Sequence, residues 1–332
     1  MQHRELGQSG LRVPAVVFGA WAIGGWNWGG SDDDAAVRAI GKAIDLGMNA
    51  IDTAPVYGFG RSERVVGRAI AGRRADVVLM TKVGLRWDDD RGEFYFQATG
   101  EHGEELRVHR NLRPASVRHE VEQSLARLGT DYLDLVQIHW PDPQTPLEET
   151  LGALLELRSA GVVRAIGVSN FPVPMLETAI DALGDVPLAS TQPKYSLVAR
   201  DIEKDVLPFC RKHGIGVIVY SPIEQGLLTG KVTAARTFAA DDGRAKRWTF
   251  DAENRARVNE VLERVVRPIA ERRGGTIGLS LVPALQAVGV DRVDLVARHA
   301  HQRDAVSRLR AHVAQPDSDR WDVVFDAVGT AE

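Results

Sequence analysis

The sequence predicts an α/β protein folded as a (β/α)8 barrel, and three observations support this fold class. Short apolar segments alternate with amphipathic segments of helical spacing, and seven such βα units precede residue 230. The apolar segments are rich in Val, Ile and Leu without polar alternation, as expected of parallel strands covered on both faces. The Gly-x-Gly-x-x-Gly motif of an open dinucleotide-binding sheet is missing, because Gly58-Phe59-Gly60 is followed by Glu63 where the third glycine belongs.

The predicted elements follow in order along the chain. A hairpin over residues 2–13 turns at Gln8-Ser9-Gly10, whose residue types favour turns. Apolar runs predict barrel strands at 16–20, 50–54, 77–83, 133–139, 163–168, 188–193 and 216–220. Apolar residues at helical spacing, such as Ala36, Ile40 and Ile44 in the first case, predict helices at 33–46, 62–70, 115–128, 147–159, 174–183 and 201–212. Ser62 is the expected N-cap of the second helix, since a hydroxyl there accepts from a free helical N–H group.

Two long segments, 84–114 and 231–253, interrupt this alternation. Each follows a predicted strand, so in a barrel each lies at the carboxyl-terminal face, where the active sites of such barrels form. Loops of this length are usually either functional or disordered. The first contains Trp87 and the run Phe94-Tyr95-Phe96 among charged residues, which favours a lid that covers the substrate over disorder.

The composition is that of a globular protein, with 44% hydrophobic and 26% charged residues among 332. We expect a single barrel domain over residues 1–332, because α/β barrels commonly exceed about 250 residues. The net charge of −4 indicates neither nucleic acid nor membrane as a partner. The amino terminus lacks the apolar stretch of a signal peptide and Cys210 has no cysteine partner, so we expect a cytoplasmic location. The oligomeric state is not indicated.

Charged side chains stand at the ends of three neighbouring predicted strands. Asp52 ends the second strand with Tyr57 five residues later, Lys82 ends the third strand, and His139 ends the fourth. Taken one at a time, a turn aspartate, a strand-end lysine and a core histidine are equally good interpretations. Three adjacent barrel strands, however, bring their carboxyl ends to one rim, so the four residues together predict a chemical site.

These residue types suit the protonation of a carbonyl oxygen while hydride arrives at the carbon. A free tyrosine has a pKa of roughly 10, and a neighbouring ammonium lowers it. We expect Asp52 to pair with Lys82 and hold it charged beside Tyr57, while His139 hydrogen-bonds the same substrate oxygen. General acid catalysis of this kind contributes about 10²–10⁴-fold, and oriented donors stabilise the developing alkoxide.

Longer motifs accompany these residues along about residues 1–275. They are GAW at 19–21, DTAPVYG at 52–58, SE at 62–63, TK at 81–82, LGTDYLDL at 128–135, QIHW at 137–140, GVVRAIGVSNF at 161–171, QP at 192–193, YSP at 220–222 and GLLTGK at 226–231. In this order they resemble the aldo-keto reductase superfamily. In detail they are similar to its bacterial branch, which contains inositol- and sugar-related reductases, and to the potassium-channel β-subunits.

The resemblance implies a role for each matching residue. The tetrad of the family corresponds to Asp52, Tyr57, Lys82 and His139, with Tyr57 as the proton donor. The groups that hold the nicotinamide of NADPH correspond to Ser169, Asn170, Gln192 and, stacked on the ring, Tyr220. Further cofactor-binding candidates are Trp21 and the residues of the loop that wraps the pyrophosphate, namely Ser221, Ile223, Gly226, Leu227 and Lys231. Candidates for the substrate pocket, for which simple packing is an equally good explanation, are Trp26, Trp28, Trp87 and Trp140.

From about residue 280 the chain departs from the family pattern. The family ends in a helix, a strand and an adenine-binding helix with the pattern Gly-x-Arg-x-x-x-Gln-x-x-Glu-Asn, whose Arg meets the 2′-phosphate. Arg298 and Gln302 keep this spacing, but Val296 replaces the glycine, and Pro283 interrupts the helix expected before strand eight. Divergence, a reading-frame shift in the parent gene and a rebuilt carboxyl terminus are three explanations. Because the carboxyl terminus departs from the family pattern, NAD stays an alternative to NADP as the cofactor.

The leading hypothesis is therefore the NADPH-dependent reduction of an aldehyde or ketone, such as a sugar or polyol-derived carbonyl, to an alcohol. An alternative is a cofactor-binding regulatory subunit with little turnover, as the channel β-subunits exemplify. A third is an enzyme whose altered carboxyl terminus has weakened its cofactor site. No metal site is predicted, because His299 and His301 lack a third candidate ligand.

Overall fold

The computed structural model describes residues 1–239 and 241–267 together with the backbone of residues 324–328. The strands are β1 (His3–Glu5), β2 (Arg12–Pro14), β3 (Val16–Gly19), β4 (Ala50–Asp52), β5 (Val78–Val83), β6 (Leu85–Arg86), β7 (Glu93–Thr99), β8 (Glu105–Arg110), β9 (Leu133–Ile138), β10 (Val163–Ser169), β11 (Ser190–Gln192), β12 (Gly216–Val219) and β13 (Val324–Val328). The α-helices are α1 (Asp33–Asp45), α2 (Arg61–Ile70), α3 (Pro114–Leu128), α4 (Leu147–Ser159), α5 (Val173–Leu183), α6 (Val206–His213) and α7 (Ala252–Val261).

Eight parallel strands close into a barrel in the order β3-β4-β5-β9-β10-β11-β12-β13, which confirms the predicted fold class. The register aligns the residues that matter for the site. Lys82 of β5 lies opposite Gln137 of β9, and Ser169 of β10 lies opposite Gln192 of β11. These residues therefore stand at one height near the carboxyl-terminal end of the barrel.

The core has two layers, inside the barrel and between the barrel and its helices. One buried side chain in or directly before most barrel strands fills the interior, namely Val17, Ala50, Met80, Leu135, Ala165, Ala189 and Ile218. The antiparallel hairpin of β1 and β2 adds Leu6 and Val13 to this layer. At its turn the backbone passes so close to the barrel that a Cβ on Gly7 would lie 2.6 Å from the Gly216 nitrogen, so only glycine fits there.

The segment 84–114 folds as an antiparallel sheet in the order β6-β8-β7, which we call the lid sheet. The helix α3 holds the start of this sheet, because both carboxyl oxygens of Glu120 accept from the Gly84 N–H, at 2.9 and 3.1 Å. The second long segment begins after β12 and packs Phe238 and Phe250 against Leu227. Within the described residues, no helix has the length and apolar character needed to cross a bilayer.

Two sequence-based expectations were wrong. Ser62 does not cap α2: the helix begins at Arg61 after Gly60, and the Ser62 hydroxyl instead donates to the Ala20 carbonyl at 2.8 Å. The Ser62 hydroxyl therefore bonds to a buried backbone carbonyl and not to an N–H group of the helix. The eighth strand was expected before the segment 295–302, whereas β13 is formed by Val324–Val328 beyond it. β13 takes the eighth position because it pairs with a strand on each side. Val324 lies opposite Ile218 of β12, and Phe325 lies opposite Val16 of β3.

Candidate active site

The buried pair of Asp52 and Lys82 lies at the centre of the predicted site. Asp52 ends β4, Lys82 belongs to the neighbouring β5, and both residues are 0% exposed. The Lys82 ammonium forms an ion pair with Asp52 Oδ2 and donates to the Thr53 carbonyl at 3.0 Å. Because charges removed from water must be paired, each of these groups compensates the charge of the other and holds it in place.

The second carboxylate oxygen of Asp52 accepts two amide donors from other strands. Gln137 Nε2 donates to Oδ1 at 3.0 Å and Gln192 Nε2 donates to it at 3.1 Å. Gln137, which is buried, was missed as a site residue by the sequence analysis. The available signal was a lone amide in a largely apolar strand, two positions before His139.

The rings of Tyr57 and His139 meet beside this pair. Their centroids are 5.7 Å apart with nearly perpendicular planes, and the Lys82 ammonium lies 5.1 Å from the centre of the Tyr57 ring. Burial, and secondly the Lys82 charge, hold the pKa of His139 well below its ordinary value. The imidazole is therefore neutral near pH 7. The structure thus brings Asp52, Tyr57, Lys82 and His139 together, as predicted.

The residues predicted for the nicotinamide end form one hydrogen-bonded group. Asn170, with a left-handed φ of 62°, donates through Nδ2 to the His139 carbonyl at 3.1 Å and to Ser169 Oγ at 2.9 Å. Ser169 Oγ donates to the Gln192 carbonyl at 2.7 Å, and the Tyr220 hydroxyl donates to Asn170 Oδ1 at 3.0 Å. Burial, followed by the Tyr95 phenol and the Glu224 carboxylate, raises the pKa of Tyr220 to about 12, so this donor stays protonated.

The loop after β12 contains consecutive residues in left-handed conformation. Ser221 has a φ of 55°, and Glu224, Gln225 and Gly226 have values of 46°, 53° and 96°. Turns of this kind orient backbone N–H groups toward a common point and form concavities that bind anions. Backbone of this kind is compatible with an anion site. The other residues predicted here lie along the same segment: Ile223 half-buried, Leu227 buried and Lys231 exposed at its end.

Side chains from two other loops hold this conformation, which costs about 1–3 kcal/mol for each non-glycine residue with a left-handed φ. Glu224 accepts from Ser196 Oγ at 2.8 Å, and Arg247 donates to Gln225 Oε1 at 2.7 Å. Arg244 donates to the Gln225 carbonyl at 3.2 Å and pairs with Asp242 in the buried part of the second long segment. Sequence analysis missed these arginines, because nothing in a polar loop distinguishes a clamping arginine from a solvated one.

Aromatic rings form a wall beside Tyr57. Trp26 stacks on Phe96 of the lid sheet at 5.3 Å, Trp87 meets Phe59 at 5.6 Å, and Trp140 meets Tyr95 at 5.8 Å. Trp21 lies 6.2 Å from the Tyr57 ring. Trp28 differs from the others, because it is buried between the Trp21 ring at 5.2 Å and the Arg244 guanidinium at 5.1 Å. Of the four pocket candidates, three therefore join the wall and Trp28 packs beneath it.

The adenine end of the cofactor site is not described. Arg298 and Gln302 lie outside the described residues, as do His299 and His301. In the part of the chain that the structure describes, no three His, Cys, Asp or Glu side chains are grouped to hold a metal ion.

The chain is similar to known proteins over most of its length. Residues 15–280 match the profile of the Aldo/keto reductase family. The chain is 38% identical over 315 residues to the aldo-keto reductase YhdN of Bacillus subtilis (strain 168), covering 93% of this chain and 88% of that protein. It is 39% identical over 284 residues to the NADH-specific methylglyoxal reductase of Escherichia coli (strain K12), covering 83% of each chain.

A solved structure shows the same architecture. The glycerol dehydrogenase AKR11B4 from Gluconobacter oxydans has a TM-score of 0.71 and 36% identity to this chain, covering 96% of this chain and 98% of that one. The family profile and these relatives show that the chain belongs to the aldo/keto reductase family and is an NAD(P)H-dependent oxidoreductase.

Proposed function

We propose that this protein reduces an aldehyde or ketone to an alcohol with NADPH, and that Tyr57 is the general acid. The observation that carries the proposal is the buried ion pair of Lys82 and Asp52 directly beside the Tyr57 ring. A fixed ammonium favours the phenolate that remains after Tyr57 has given up its proton. Tyr57 can therefore donate to a carbonyl oxygen at neutral pH, although a free tyrosine is a weak acid there.

His139 has a separate role in this proposal. Its depressed pKa keeps the imidazole neutral, so it does not compete with Tyr57 as the acid. A neutral imidazole N–H instead donates a hydrogen bond to the carbonyl oxygen and stabilises the negative charge that develops there. Asp52, Gln137 and Gln192 do not touch the substrate in this scheme; they hold Lys82 in position.

The side chains at the barrel mouth fit a nicotinamide cofactor. Ser169, Asn170 and Gln192 offer the hydroxyl and amide groups that suit a carboxamide, and Tyr220 offers a ring face. The loop that contains Ser221 and the left-handed residues Glu224, Gln225 and Gly226 is the one to which we assign the pyrophosphate. When bound, the cofactor supplies the hydride for the carbonyl carbon. NADPH is proposed because Arg298 and Gln302 keep the family spacing, whereas the NADH-specific relative makes NADH the alternative.

The substrate class is proposed from the names of relatives. A methylglyoxal reductase and a glycerol dehydrogenase both act on small oxygenated compounds, as their names state. We therefore favour a sugar or polyol-derived carbonyl. The cytoplasmic location expected from the sequence also stays a prediction.

Titration of the protein's tryptophan fluorescence with NADPH and NADH, followed by turnover on a panel of aldehydes, tests the proposal. We expect binding well below millimolar concentration and measurable reduction. Binding of neither cofactor in that range would refute the oxidoreductase function for this chain. Tight binding without turnover would favour the regulatory-subunit alternative instead.

Tyr57→Phe tests the assignment of the acid. We expect a loss of reduction on the order of 10²–10⁴-fold with cofactor binding retained. Tyr132→Phe is the matched control, because Tyr132 precedes β9 at the opposite end of the barrel, where its ring lies between Arg74 and Arg164. Near-normal reduction by Tyr57→Phe would rule out this residue as the acid.

Arg298→Met tests the cofactor preference. Loss of a charged contact to the 2′-phosphate predicts a Kd for NADPH raised by roughly 10-fold or more, with the Kd for NADH nearly unchanged. An equal effect on both cofactors would show that Arg298 does not contact the 2′-phosphate.

A further inference from the structure

The lid sheet contains an irregularity at Tyr95. Phe94 of β7 lies opposite His109 of β8, and Phe96 lies opposite Val108, so Tyr95 has no partner residue across the ladder. In a regular strand, neighbouring side chains point to opposite faces. Here the extra residue forms a β-bulge, and the rings of Tyr95 and Phe96 both join the apolar cluster that contains Tyr57. Bulges re-aim side chains in this way and are common beside active sites.

The redirected ring is fixed against the loop that follows His139. Tyr95 packs on Trp140 at 5.8 Å, and the Arg110 guanidinium covers the Tyr95 ring at 5.0 Å. Arg110 also donates to the Pro141 carbonyl at 3.2 Å and forms an ion pair with Glu93 of the same sheet. Arg110 therefore fastens the bulge to the rim of the barrel and limits the positions that the Tyr95 ring can take.

The phenol group of Tyr95 lies in the neighbourhood of the nicotinamide end. It is near enough to Tyr220 to contribute, after burial, to the raised pKa of that residue. Burial also raises the pKa of Tyr95 itself, so its hydroxyl is a neutral donor and acceptor. The Tyr95 hydroxyl makes no hydrogen bond to the described residues, although the Tyr95 side chain is half-buried. A polar group without a protein partner in an aromatic wall is the kind of group that orients a ligand.

We infer that Tyr95 is a specificity-determining residue, and that its phenol hydrogen-bonds a hydroxyl on the substrate carbon next to the carbonyl. The inference rests on the proposed function, in which Tyr57 and His139 take the carbonyl oxygen itself. Tyr95 packs on Trp140, the residue that follows His139, whereas the rings of Tyr57 and His139 meet each other, so we assign the neighbouring substituent to Tyr95 and the reacting oxygen to the other two. The preferred substrates are therefore 2-hydroxy aldehydes and ketones.

The test compares two substrates that differ by one hydroxyl, lactaldehyde and propionaldehyde. Tyr95→Phe keeps the ring and removes only the hydroxyl. We expect kcat/KM for lactaldehyde to fall between about twofold and tenfold, as for one net hydrogen bond. For propionaldehyde, the variant should match the wild type. Arg110→Met should lower the same preference, because it removes the contact that holds the Tyr95 ring.

Phe94→Leu is the matched control, since Phe94 precedes the bulge, is 48% exposed and faces away from the cluster. It should leave both substrates unaffected. An equal change for the two aldehydes in Tyr95→Phe, or an unchanged preference, would overturn the inference while leaving the reductase function intact. If the wild-type protein reduced neither aldehyde nor any other carbonyl, the proposed function would fail first.

Discussion

Removal of the buried ammonium at position 82 gives the sharpest test of how the site is built. Lys82→Met fills a similar volume without charge and leaves the fully buried Asp52 without its ion-pair partner. The Thr53 carbonyl also loses its donor at 3.0 Å. Methionine cannot satisfy either group, so the substitution isolates the electrostatic contribution of the ammonium.

The structure sets the expected magnitude. Breaking a buried ion pair by removing one partner costs about 3–5 kcal/mol of unfolding free energy. Asp52 Oδ1 keeps its two amide donors, Gln137 and Gln192, which continue to stabilise the carboxylate. We therefore expect a loss near the lower limit, about 3 kcal/mol, together with the loss of most reduction because Tyr57 no longer faces an ammonium.

Urea denaturation followed by tryptophan fluorescence measures the loss, and a double variant provides its control. Asp52→Asn combined with Lys82→Met removes the uncompensated charge, while the Asn oxygen still accepts from Gln137 and Gln192. It should recover about half or more of the lost stability without recovering activity. A Lys82→Met protein as stable as the wild type, or a double variant less stable than Lys82→Met, would refute the reasoning.

Three further predictions concern other titratable groups of the protein. Burial raises the pKa of Glu120 to about 8, so its protonated form stabilises the fold at low pH and this contribution declines as pH rises toward about 8. In urea unfolding, Glu120→Gln should lack that decline, and a variant with the same pH dependence of stability as the wild type would contradict the prediction. Because the pKa of His139 is held well below its ordinary value, the pH profile of kcat/KM should show no inflection from His139 between about pH 6 and pH 8. An inflection in that range that is present in the wild type and absent in His139→Gln would contradict this prediction. Asp242→Ala leaves the buried Arg244 guanidinium without its carboxylate, so limited trypsin digestion should cut the 231–251 segment faster, and an unchanged digestion pattern would speak against the clamp.

Strand ends were the most informative part of the sequence for the chemical site. Asp52, Lys82 and His139 were predicted from three neighbouring apolar runs, and the structure brings them together because parallel barrel strands end at one rim. The lone Gln137 belongs to the same pattern but was not selected. Its role depends on the register that sets it opposite Lys82, and register is a property of strand pairing.

Local signals were less reliable where a residue had a choice of partners. A serine at the start of a helix is a common N-cap, yet Ser62 bonds to the Ala20 carbonyl of a distant loop. The lid sheet was expected as an ordered cover, whereas its three strands and the bulge at Tyr95 depend on the pairing of β7 with β8. A single unpaired residue in a strand leaves no distinct mark in the amino-acid pattern.

The sequence by itself determined the barrel, the order of most of its strands and the residue types of the chemical site, because apolar periodicity and strand-end position are local properties. Only the tertiary structure decided which polar groups satisfy one another: the two amides on Asp52, the arginines that hold the left-handed loop, and the bulged Tyr95 above Trp140. Those contacts join residues far apart in the chain. Their partners are selected by burial, since a polar group removed from water must find whichever donor or acceptor the fold brings near it.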